Sequence, residues 1–594
     1  MTMSRTNPST EKPNSDKFAR WRPKYHLLAP NGWMNDPCGL NYDAQRRKYH
    51  AFFQWNPFGN DWGNMSWGHA VSDDMVSWSV FDHPALEPDK PYDGEGVFTG
   101  ALFPAGLDGN ANGTLTLIYT SVSKSPIHYT LPYSHGCETL SLATSCDGGL
   151  SWNKVEGNPI LPGPPSDTQA ISWRDPYVAC WPGMSRVLGL PSHQVFGLLS
   201  GGIRHKTPTT WLYAVGSTDL TDWRCIGPLV DIGKNFCPSG ADFDMGVNFE
   251  CGNFMSLEDA DGGSTDFLIM SCEGVQTRGE TADDTTSTCI KTQGWMSGPL
   301  VADYNGSAQM QWECGGRLDF GSLYAANSFW DPVIRQQITM GWIPEDGLPD
   351  ATRHQQGWSG CLSLPRVLRS LALVNVTGSR HGHLLGMGAF AVMPDRDGTF
   401  ILRTLGVSPH PNLESLRKCA REIRISTADL AAPKGPRHWI GPVMSLKSQQ
   451  WELKCKMALK GDCQRVGLNI FHSSNGMTNM SRVYFEAVDG RVIIQKAAVH
   501  TVAGANVASD SAPHPLFRMI DTRTGAEMEE ELLIHMFYDQ GVLEVFFNER
   551  TTVTSRLYPL SVQDTSLQLF AEGTNEAEAT PLDVQGAVWD GLAA

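Results

Sequence analysis

The chain has 594 residues, of which 41% are hydrophobic and only 18% are charged, and it contains 59 glycines and 37 prolines. This composition is typical of short strands and turns, and it excludes disorder and coiled coil as global descriptions. Asp and Glu (63) outnumber Lys and Arg (46), and the net charge of −17 repels phosphate backbones and anionic lipid. We therefore expect neither nucleic acid nor a membrane as a partner.

The first residues, 1–17, are polar, and no basic segment in them leads into the apolar core that a signal peptide needs. The 14 cysteines lie between Cys38 and Cys463 without a Cys-x-x-Cys pair, which argues against a zinc site and a compact disulfide framework. We expect a cytoplasmic protein with free thiols, no metal and no cofactor.

A short pattern occurs three times in the first half of the chain: a Ser, an Asp two residues later, a turn and a Trp. The tryptophans are Trp78, Trp152 and Trp223, which are 74 and 71 residues apart. Each copy lies between apolar runs and is interpreted as a hairpin turn. This period suits a four-stranded sheet repeated radially as a propeller blade, whereas three unrelated hairpins are the alternative.

A second series of motifs has almost the same period, and each motif begins an apolar strand. Its members are Asp36, Thr99, Asp175, Glu250 and Asp319, with steps of 63, 76, 75 and 69 residues. Five members predict five blades, so we predict an all-β fold in which residues 21–385 form a five-bladed propeller. If each member opens the innermost strand of its blade, the five side chains converge on one channel mouth. That geometry gathers Asp36, Asp175 and Glu250 into one pocket.

The flanking regions have different patterns. Residues 1–20 are predicted to be a polar extension, and residues 386–425 a linker whose apolar spacing predicts one short helix over 412–425. Short alternating segments in residues 426–594 predict a C-terminal antiparallel β-sandwich. The predicted sandwich strands are 453–457, 465–471, 483–487, 491–495, 532–538 and 543–548.

Three acids lie in chemically unusual surroundings. Asp36 and Asp175 each lie between a nearby tryptophan and a proline, in WMNDP at 33–37 and WRDP at 173–176. Glu250 lies in the apolar run VNFEC at 247–251, where a charge is costly unless it has a purpose. An Asp-Pro pair alone is a common turn starter. Paired carboxyl groups are, however, what glycoside hydrolysis needs, one an acid with a raised pKa and the other ionised.

These blocks resemble glycoside hydrolase family 32, which contains invertases, inulinases and fructosyltransferases, and the resemblance extends over nearly the whole chain. The matching motifs are WMNDP at 33–37, QWNP at 54–57, WGH at 67–69, FTG at 98–100, RDP at 174–176, EC at 250–251 and DFGSLYA at 319–325. Segments FYD at 537–539, EVF at 544–546 and YP at 558–559 resemble the family's terminal sandwich. The resemblance implies a five-bladed propeller joined to a β-sandwich, as the spacing predicts.

The resemblance also implies roles for the acids. Asp36 would be the nucleophile that attacks the fructosyl anomeric carbon, and Glu250 would protonate the departing oxygen and later deprotonate the incoming one. Asp175 would bind fructose hydroxyls and stabilise the transition state without reacting. Arg174 would contribute its fixed fork of donors, and an exposed ion pair is the alternative interpretation.

Further positions match residues that contact the sugar in the family. These are Asn35, Gln54, Trp62, Phe98, Thr99 and Tyr324. The amides would donate hydrogen bonds, and the aromatics Trp62 and Phe98 would form pocket walls, with core packing as their alternative. Tyr324 would support the acid/base, and a buried tyrosine bonded to backbone is its alternative.

Three positions depart from the commonest family pattern: Cys38, where many members have Asn, Trp55, where many have Tyr, and Thr99, where many have Ser. With Cys38 in this position, the block resembles the fungal branch of the family, which includes transfructosylating β-fructofuranosidases and sucrose fructosyltransferases. The resemblance implies a retaining β-fructofuranosidase acting on sucrose, with substantial transfer of fructose to a second sucrose to give short fructo-oligosaccharides. In a retaining pair the two carboxyl groups are about 5 to 5.5 Å apart. The alternatives are a mainly hydrolytic invertase or inulinase and a non-catalytic sugar-binding propeller, and the sandwich could support a homodimer.

Overall fold

The computed structural model describes residues 15–241, 243–259, 262–276, 290–303, 306–429, 438–460, 463–472, 479–498, 501–560, 565–573 and 582–594. Within these ranges the chain is almost entirely β-structure. Its helices are α1 Ser15–Ala19, α2 Pro182–Leu188 and α3 Asp350–Gln356, together with the 3-10 helices Leu384–Gly386, Arg396–Gly398, Pro411–Cys419 and Thr427–Asp429. None of the helices described is long and apolar enough to cross a membrane.

Five sheets follow one another along the chain. The first contains β1 Gly32–Asp43, β2 Lys48–Asn56, β3 Ser66–Ser72 and β4 Trp78–Val80. The second contains β5 Gly96–Phe103, β6 Leu115–Val122, β7 Glu138–Ser145 and β8 Asn153–Lys154. The third contains β9 Ala170–Cys180, β10 Val195–Ile203, β11 Thr207–Gly216 and β12 Asp219–Pro228. The fourth contains β13 Asn248–Glu258, β14 Ser264–Val275, β15 Ile290–Ser297 and, after the small hairpin β16 Leu300–Ala302 and β17 Ala308–Met310, β18 Cys314–Arg317. The fifth contains β19 Tyr324–Asp331, β20 Gln336–Ile343, the short β22 Cys361–Leu362, β23 Arg366–Ser379, β24 Ala391–Pro394 and β25 Phe400–Pro409. The short strand β21 Trp358–Ser359, which precedes β22 in the chain, belongs to the first sheet.

The first strands of the five sheets form a closed ring. Strands β1, β5, β9, β13 and β19 each contact the next, and β19 contacts β1, which is the geometry of a five-bladed propeller. The segment after α3 fastens this ring, because β21 pairs with β1 while β22 pairs with β20. The three tryptophan hairpins predicted from the sequence are present as β3–β4, β7–β8 and β11–β12.

The region expected to be a linker, residues 386–425, belongs largely to the two domains. Strands β24 and β25 are part of the fifth blade, so the propeller extends beyond residue 385 to Pro409. The helix predicted over 412–425 is the 3-10 helix Pro411–Cys419, followed by strand β26 Arg421–Ser426. Leu413 and Leu416 are buried as their spacing predicts, but extended backbone at Ala420 (φ −74°, ψ 147°) ends the helix.

A two-sheet β-sandwich follows. Besides β26, its strands are β27 His438–Ile440, β28 Met444–Ser445, β29 Gln450–Leu459, β30 Cys463–Phe471, β31 Met480–Glu486, β32 Arg491–Gln495, β33 Asp510–Pro513, β36 Leu532–Asp539, β37 Val542–Phe547, β38 Thr551–Arg556, β39 Ser566–Gly573 and β40 Leu582–Asp590. Two further strands from this part of the chain, β34 Phe517–Ile520 and β35 Glu527–Glu529, extend the fifth blade. One sheet has the order β26-β40-β29-β36-β37-β38 and the other β27-β39-β30-β31-β32-β33. Apolar side chains from both sheets fill the space between them, and the strands predicted from the sequence are β29 to β32, β36 and β37.

A buried ion-pair network joins the propeller to the sandwich. Arg366 on β23 donates to Glu544 on β37 (Nη2–Oε2 2.6 Å) and to Asp319 (Nη1–Oδ2 2.9 Å). Glu544 also contacts His26 (Oε1–Nε2 3.1 Å), and Asp319 accepts from Thr554 (2.7 Å). Asp319 therefore lies at the interface of the two domains. The prediction that it opens the fifth innermost strand at the channel mouth is wrong, because that strand begins only at residue 324.

Candidate active site

A bulge interrupts each innermost strand near its start. The shifts in pairing fall between Met34 and Pro37, Phe98 and Gly100, Arg174 and Tyr177, Glu250 and Asn253, and Tyr324 and Asn327. A bulge re-aims a side chain out of the regular sheet and is common beside active sites. The predicted site residues on these strands therefore leave the regular alternation at the same level of the ring.

Backbone conformation identifies the equivalent positions in three blades. Asp175, Cys251 and Ala325 have φ of +61°, +49° and +52°, in the left-handed region, and they are 76 and 74 residues apart. The residues immediately before these three are Arg174, Glu250 and Tyr324, which therefore occupy equivalent positions in blades three, four and five. The fifth member of the series is thus the pair 324–325 rather than Asp319.

Asp36 is held by three hydrogen-bond donors. Its carboxylate accepts from Thr99 (Oγ1–Oδ2 2.6 Å), Asn35 (Nδ2–Oδ1 3.0 Å) and Gln54 (Nε2–Oδ2 3.3 Å). Gln54 also donates to the Thr99 hydroxyl, and Trp33 Nε1 donates to Asn35 Oδ1 at 3.0 Å, which fixes the orientation of that amide. Asn35, Gln54 and Thr99, three of the predicted sugar-contacting residues, thus surround Asp36.

Asp175 lies beside Asp36, and Cys251 connects the two. The Cys251 backbone N–H donates to Asp175 Oδ2 at 3.0 Å. Its Sγ lies 3.7 Å from Asp175 Oδ2 and 3.7 Å from Asp36 Oδ2. The Asp175 N–H donates to Thr120 Oγ1 at 2.8 Å, which ties the bulge to blade two. The two aspartates predicted to share a pocket are therefore close together.

Glu250 completes the group of acids. Arg174 donates to Glu250 Oε1 from Nε (3.1 Å) and Nη2 (2.8 Å), and the Tyr324 hydroxyl donates to Oε2 at 2.6 Å. Arg174 is only 6% exposed, so the alternative of an exposed ion pair does not apply. Tyr324 donates to a carboxylate rather than to backbone, in contrast to its alternative interpretation.

The simplest expectation is a raised pKa for the acid, Glu250, and an unraised pKa for the nucleophile, Asp36. The directions in this site are the reverse. Burial raises the pKa of Asp36, the Thr99 hydrogen bond opposes this rise, and the charge of Glu250 adds to it. Burial would also raise the pKa of Glu250, but Arg174 and Tyr324 outweigh it, and the pKa is lowered. Burial raises the pKa of Asp175 well above its usual range, with the charges of Glu250 and Asp36 contributing. The unliganded site therefore lowers the pKa of Glu250 and raises the pKa values of the two aspartates.

Two further acids belong to this cluster and were not predicted. Glu273 on β14 accepts from Asn248 (2.8 Å) and Arg174 (3.3 Å), and burial together with the charge of Glu250 raises its pKa to about 7. Glu138 on β7 is fully buried and accepts from Arg174 (2.7 Å). Glu273 lies in the apolar run FLIMSCEGV at 267–275, so the argument that singled out Glu250 could have found it.

Aromatic residues form the rim of the site. Trp62 is 57% exposed, and its ring lies 5.9 Å from that of Phe98 in an edge-on arrangement. Phe98 precedes Thr99 on β5 and packs against the cluster that contains Trp33 and Tyr324. Core packing therefore does not account for Trp62, which is exposed beside Phe98. Among the residues described, no group of three or more His, Cys, Asp or Glu is arranged to hold a metal ion.

Comparisons with known proteins agree with this geometry. Residues 26–379 match the family described as "Glycosyl hydrolases family 32 N-terminal domain", and residues 412–590 match "Glycosyl hydrolases family 32 C terminal". The chain belongs to glycoside hydrolase family 32. It is accordingly an enzyme of the glycoside hydrolase or fructosyltransferase type, with a propeller followed by a sandwich.

Individual relatives of this family 32 chain span almost its whole length. An acid β-fructofuranosidase from Solanum lycopersicum is 26% identical and covers 97% of this chain and 83% of its own. The structure of a β-fructofuranosidase from Aspergillus kawachii, complexed with glycerol, is 25% identical with a TM-score of 0.82 and covers 98% and 96% of the two chains. A fructosyltransferase from A. japonicus, 22% identical with a TM-score of 0.83 and coverage of 99% and 98%, shares the fold.

Proposed function

We propose that this enzyme is a retaining β-fructofuranosidase that acts on sucrose through a covalent fructosyl-enzyme and transfers a substantial share of the fructose to a second sucrose. The relatives named as β-fructofuranosidases support the substrate class. The observation that carries the mechanism is the arrangement of Asp36, held by three donors, in one pocket with Glu250, held by Arg174 and Tyr324.

In the first step an Asp36 oxygen attacks the anomeric carbon of the fructosyl unit. The bond from that carbon to the glucosyl oxygen breaks, and Glu250 gives its proton to the departing oxygen, so that glucose leaves. Asn35 and Thr99 fix the attacking carboxylate, and Asp175 accepts hydrogen bonds from fructose hydroxyls. The products are glucose and an ester between fructose and Asp36.

Glu250 must carry a proton when sucrose is bound, although Arg174 and Tyr324 lower its pKa in the unliganded site. Asp36, Asp175, Glu250 and Glu273 lie in one buried cluster, and like charges at such spacing retain protons between them. In the proposed sucrose complex Asp36 is the ionised member, because it must attack as a carboxylate. The retained proton then resides on Glu250, where the leaving oxygen needs it.

In the second step Glu250 removes a proton from the incoming hydroxyl, whose oxygen displaces Asp36 from the anomeric carbon. Water gives free fructose, whereas a sucrose hydroxyl gives a trisaccharide. Transfer requires a bound acceptor, because water is present at tens of molar. The exposed ring of Trp62 beside Phe98 is a surface on which an acceptor sugar can stack.

The three departures from the family pattern contribute unequally to this proposal. Thr99 donates to Asp36 and so acts directly on the nucleophile. Cys38 is fully buried with its Sγ 3.4 Å from the Asp36 carbonyl oxygen, and Trp55 is buried and donates to the Asn31 carbonyl at 2.7 Å. Neither Cys38 nor Trp55 forms a sugar-facing surface, so the support for transfer comes from the rim.

Sucrose incubation followed by product chromatography tests the function. We expect glucose to exceed fructose and trisaccharide to accumulate as sucrose approaches saturation, and Asp36→Asn to release neither sugar. Equal glucose and fructose at all sucrose concentrations would make the protein a hydrolytic invertase. Failure of the wild-type protein to release glucose from sucrose would overturn the proposed function.

We also propose that the protein resides in a reducing compartment such as the cytoplasm. No disulfide joins the cysteines within the described ranges, and eight of them are buried. Titration of the denatured, unreduced protein with a thiol reagent should find nearly all 14 cysteines reactive. Intramolecular disulfides in native material would contradict this proposal.

A further inference from the structure

Arg174, on blade three, is held between carboxylates from the blades on either side, two and four. On one side it donates to Glu250 and Glu273 of blade four, through Nε and Nη2. On the other side Nη1 donates to Glu138 Oε1 of blade two at 2.7 Å. Glu138 is fully buried, and its second oxygen accepts from the Trp173 N–H at 2.8 Å. Both oxygens of Glu138 are therefore used to hold the strand segment that carries Arg174.

We propose that Glu138 is a positioning residue for the proton donor: it draws Arg174 away from Glu250 and so limits how strongly Arg174 stabilises the Glu250 carboxylate. The inference rests on the proposed function, because it assumes that Glu250 delivers a proton to the leaving group. Glu138 is linked to Glu250 through Arg174 and is not a catalytic residue.

The direction of the effect follows from charge. The groups that act electrostatically on Glu250 are Arg174 and Asp175 on β9, Tyr324 on β19, Lys291 on β15, Glu273 and Cys272 on β14, Asp36 on β1 and Cys251 on β13. Arg174 is the strongest of those that favour the ionised form. Without the Glu138 charge, Arg174 has acid partners only on the Glu250 side, and its full positive charge favours ionised Glu250. Glu250 then loses its proton at lower pH.

The test is the pH profile of kcat/KM for sucrose in Glu138→Gln. We expect the basic limb, where the required proton is lost, to move to lower pH by about one unit. The acidic limb should move less, because Asp36 does not contact Arg174. A fructoside whose leaving group needs no proton should be cleaved by this variant nearly as well as by wild type. A uniform loss of rate with unmoved limbs would show a merely structural role and overturn the inference.

Two further variants keep the test decisive. Glu544→Gln removes an equally buried carboxylate that also pairs with an arginine, at the domain interface, and should lower stability without moving either limb. Glu138→Asp keeps the charge but shortens the side chain. If Glu138→Gln does not fold, the Asp variant should lose rate with its basic limb within a few tenths of a unit of wild type, and a full-unit shift would contradict the inference. Loss of the proposed function is distinguishable, since the wild-type protein would then show no sucrose turnover.

Discussion

Thr99 makes the shortest hydrogen bond to Asp36, and replacing it isolates one determinant of the nucleophile. Thr99→Val keeps the shape of the side chain but removes the hydroxyl that donates to Asp36 Oδ2 at 2.6 Å. Asn35 and Gln54 remain as donors at 3.0 and 3.3 Å, so the carboxylate stays in place. Thr99→Ser restores the hydroxyl and is the matched control.

The size of the effect follows from the energy of that bond. A hydrogen bond to a charged group contributes about 1.5 to 3 kcal/mol, and one pKa unit corresponds to about 1.4 kcal/mol. Because the Thr99 bond already opposes the rise in the Asp36 pKa that burial causes, its loss should raise this pKa further. We expect about one unit, since the two remaining donors compensate in part.

The assay is again kcat/KM for sucrose as a function of pH. Asp36 must be ionised to attack, so its higher pKa in Thr99→Val moves the acidic limb to higher pH. Activity should fall about tenfold on the acidic limb and little near the optimum, while Thr99→Ser follows the wild-type profile. An unshifted acidic limb in Thr99→Val would refute the assignment of that limb to Asp36.

Three other outcomes are expected. Glu250→Gln should lose sucrose turnover by orders of magnitude yet retain activity on a fructoside with a good leaving group, and equal losses on both would show that Glu250 is not the acid. Burial raises the pKa of Glu273 from its ordinary 4.5 to about 7, so the folded protein keeps a proton that the unfolded chain has lost, and stability falls as pH rises between these values. In urea unfolding, the free energy of unfolding of Glu273→Gln should therefore rise relative to that of wild type, by up to about 3 kcal/mol between pH 5 and pH 8. A difference that does not change with pH would contradict the raised pKa. Arg366→Met leaves two buried carboxylates at the domain interface without their arginine and should cost about 3–5 kcal/mol, whereas Arg369→Met at a surface pair should cost less than about 1 kcal/mol. Similar losses in the two variants would refute the contribution of the interface.

The spacing of motifs predicted the propeller and the group of three acids because each blade repeats one strand with one bulge. The same spacing misplaced the fifth member, since Asp319 lies within a few residues of the expected period and carries a carboxylate. The position in register is Ala325, preceded by Tyr324, and neither is an acid. A period read from residue chemistry cannot identify a blade whose inner strand carries a different side chain.

The apolar run around Glu273 marks it as an unusual acid, but neither this run nor the sequence neighbours of Glu138 place the two residues in the site. Neither lies on the innermost strand of its blade: Glu138 is on β7 and Glu273 on β14, so both reach the acids only through pairing between strands and stacking between blades. Those contacts depend on strand register, which short motifs do not specify. The helix predicted over 412–425 is present only as far as Cys419 for a related reason, because Arg421–Ser426 pairs with β40 far along the chain.

The covalent fructosyl-enzyme is the central claim, and its direct detection is the strongest test. Wild-type protein is mixed with sucrose, quenched in acid during turnover, digested and analysed by mass spectrometry, with Asp36→Asn treated identically. The account predicts one added fructosyl unit on the peptide that contains Asp36, and none in the variant. A fructosyl unit on another residue, or turnover without any labelled peptide, would contradict the account.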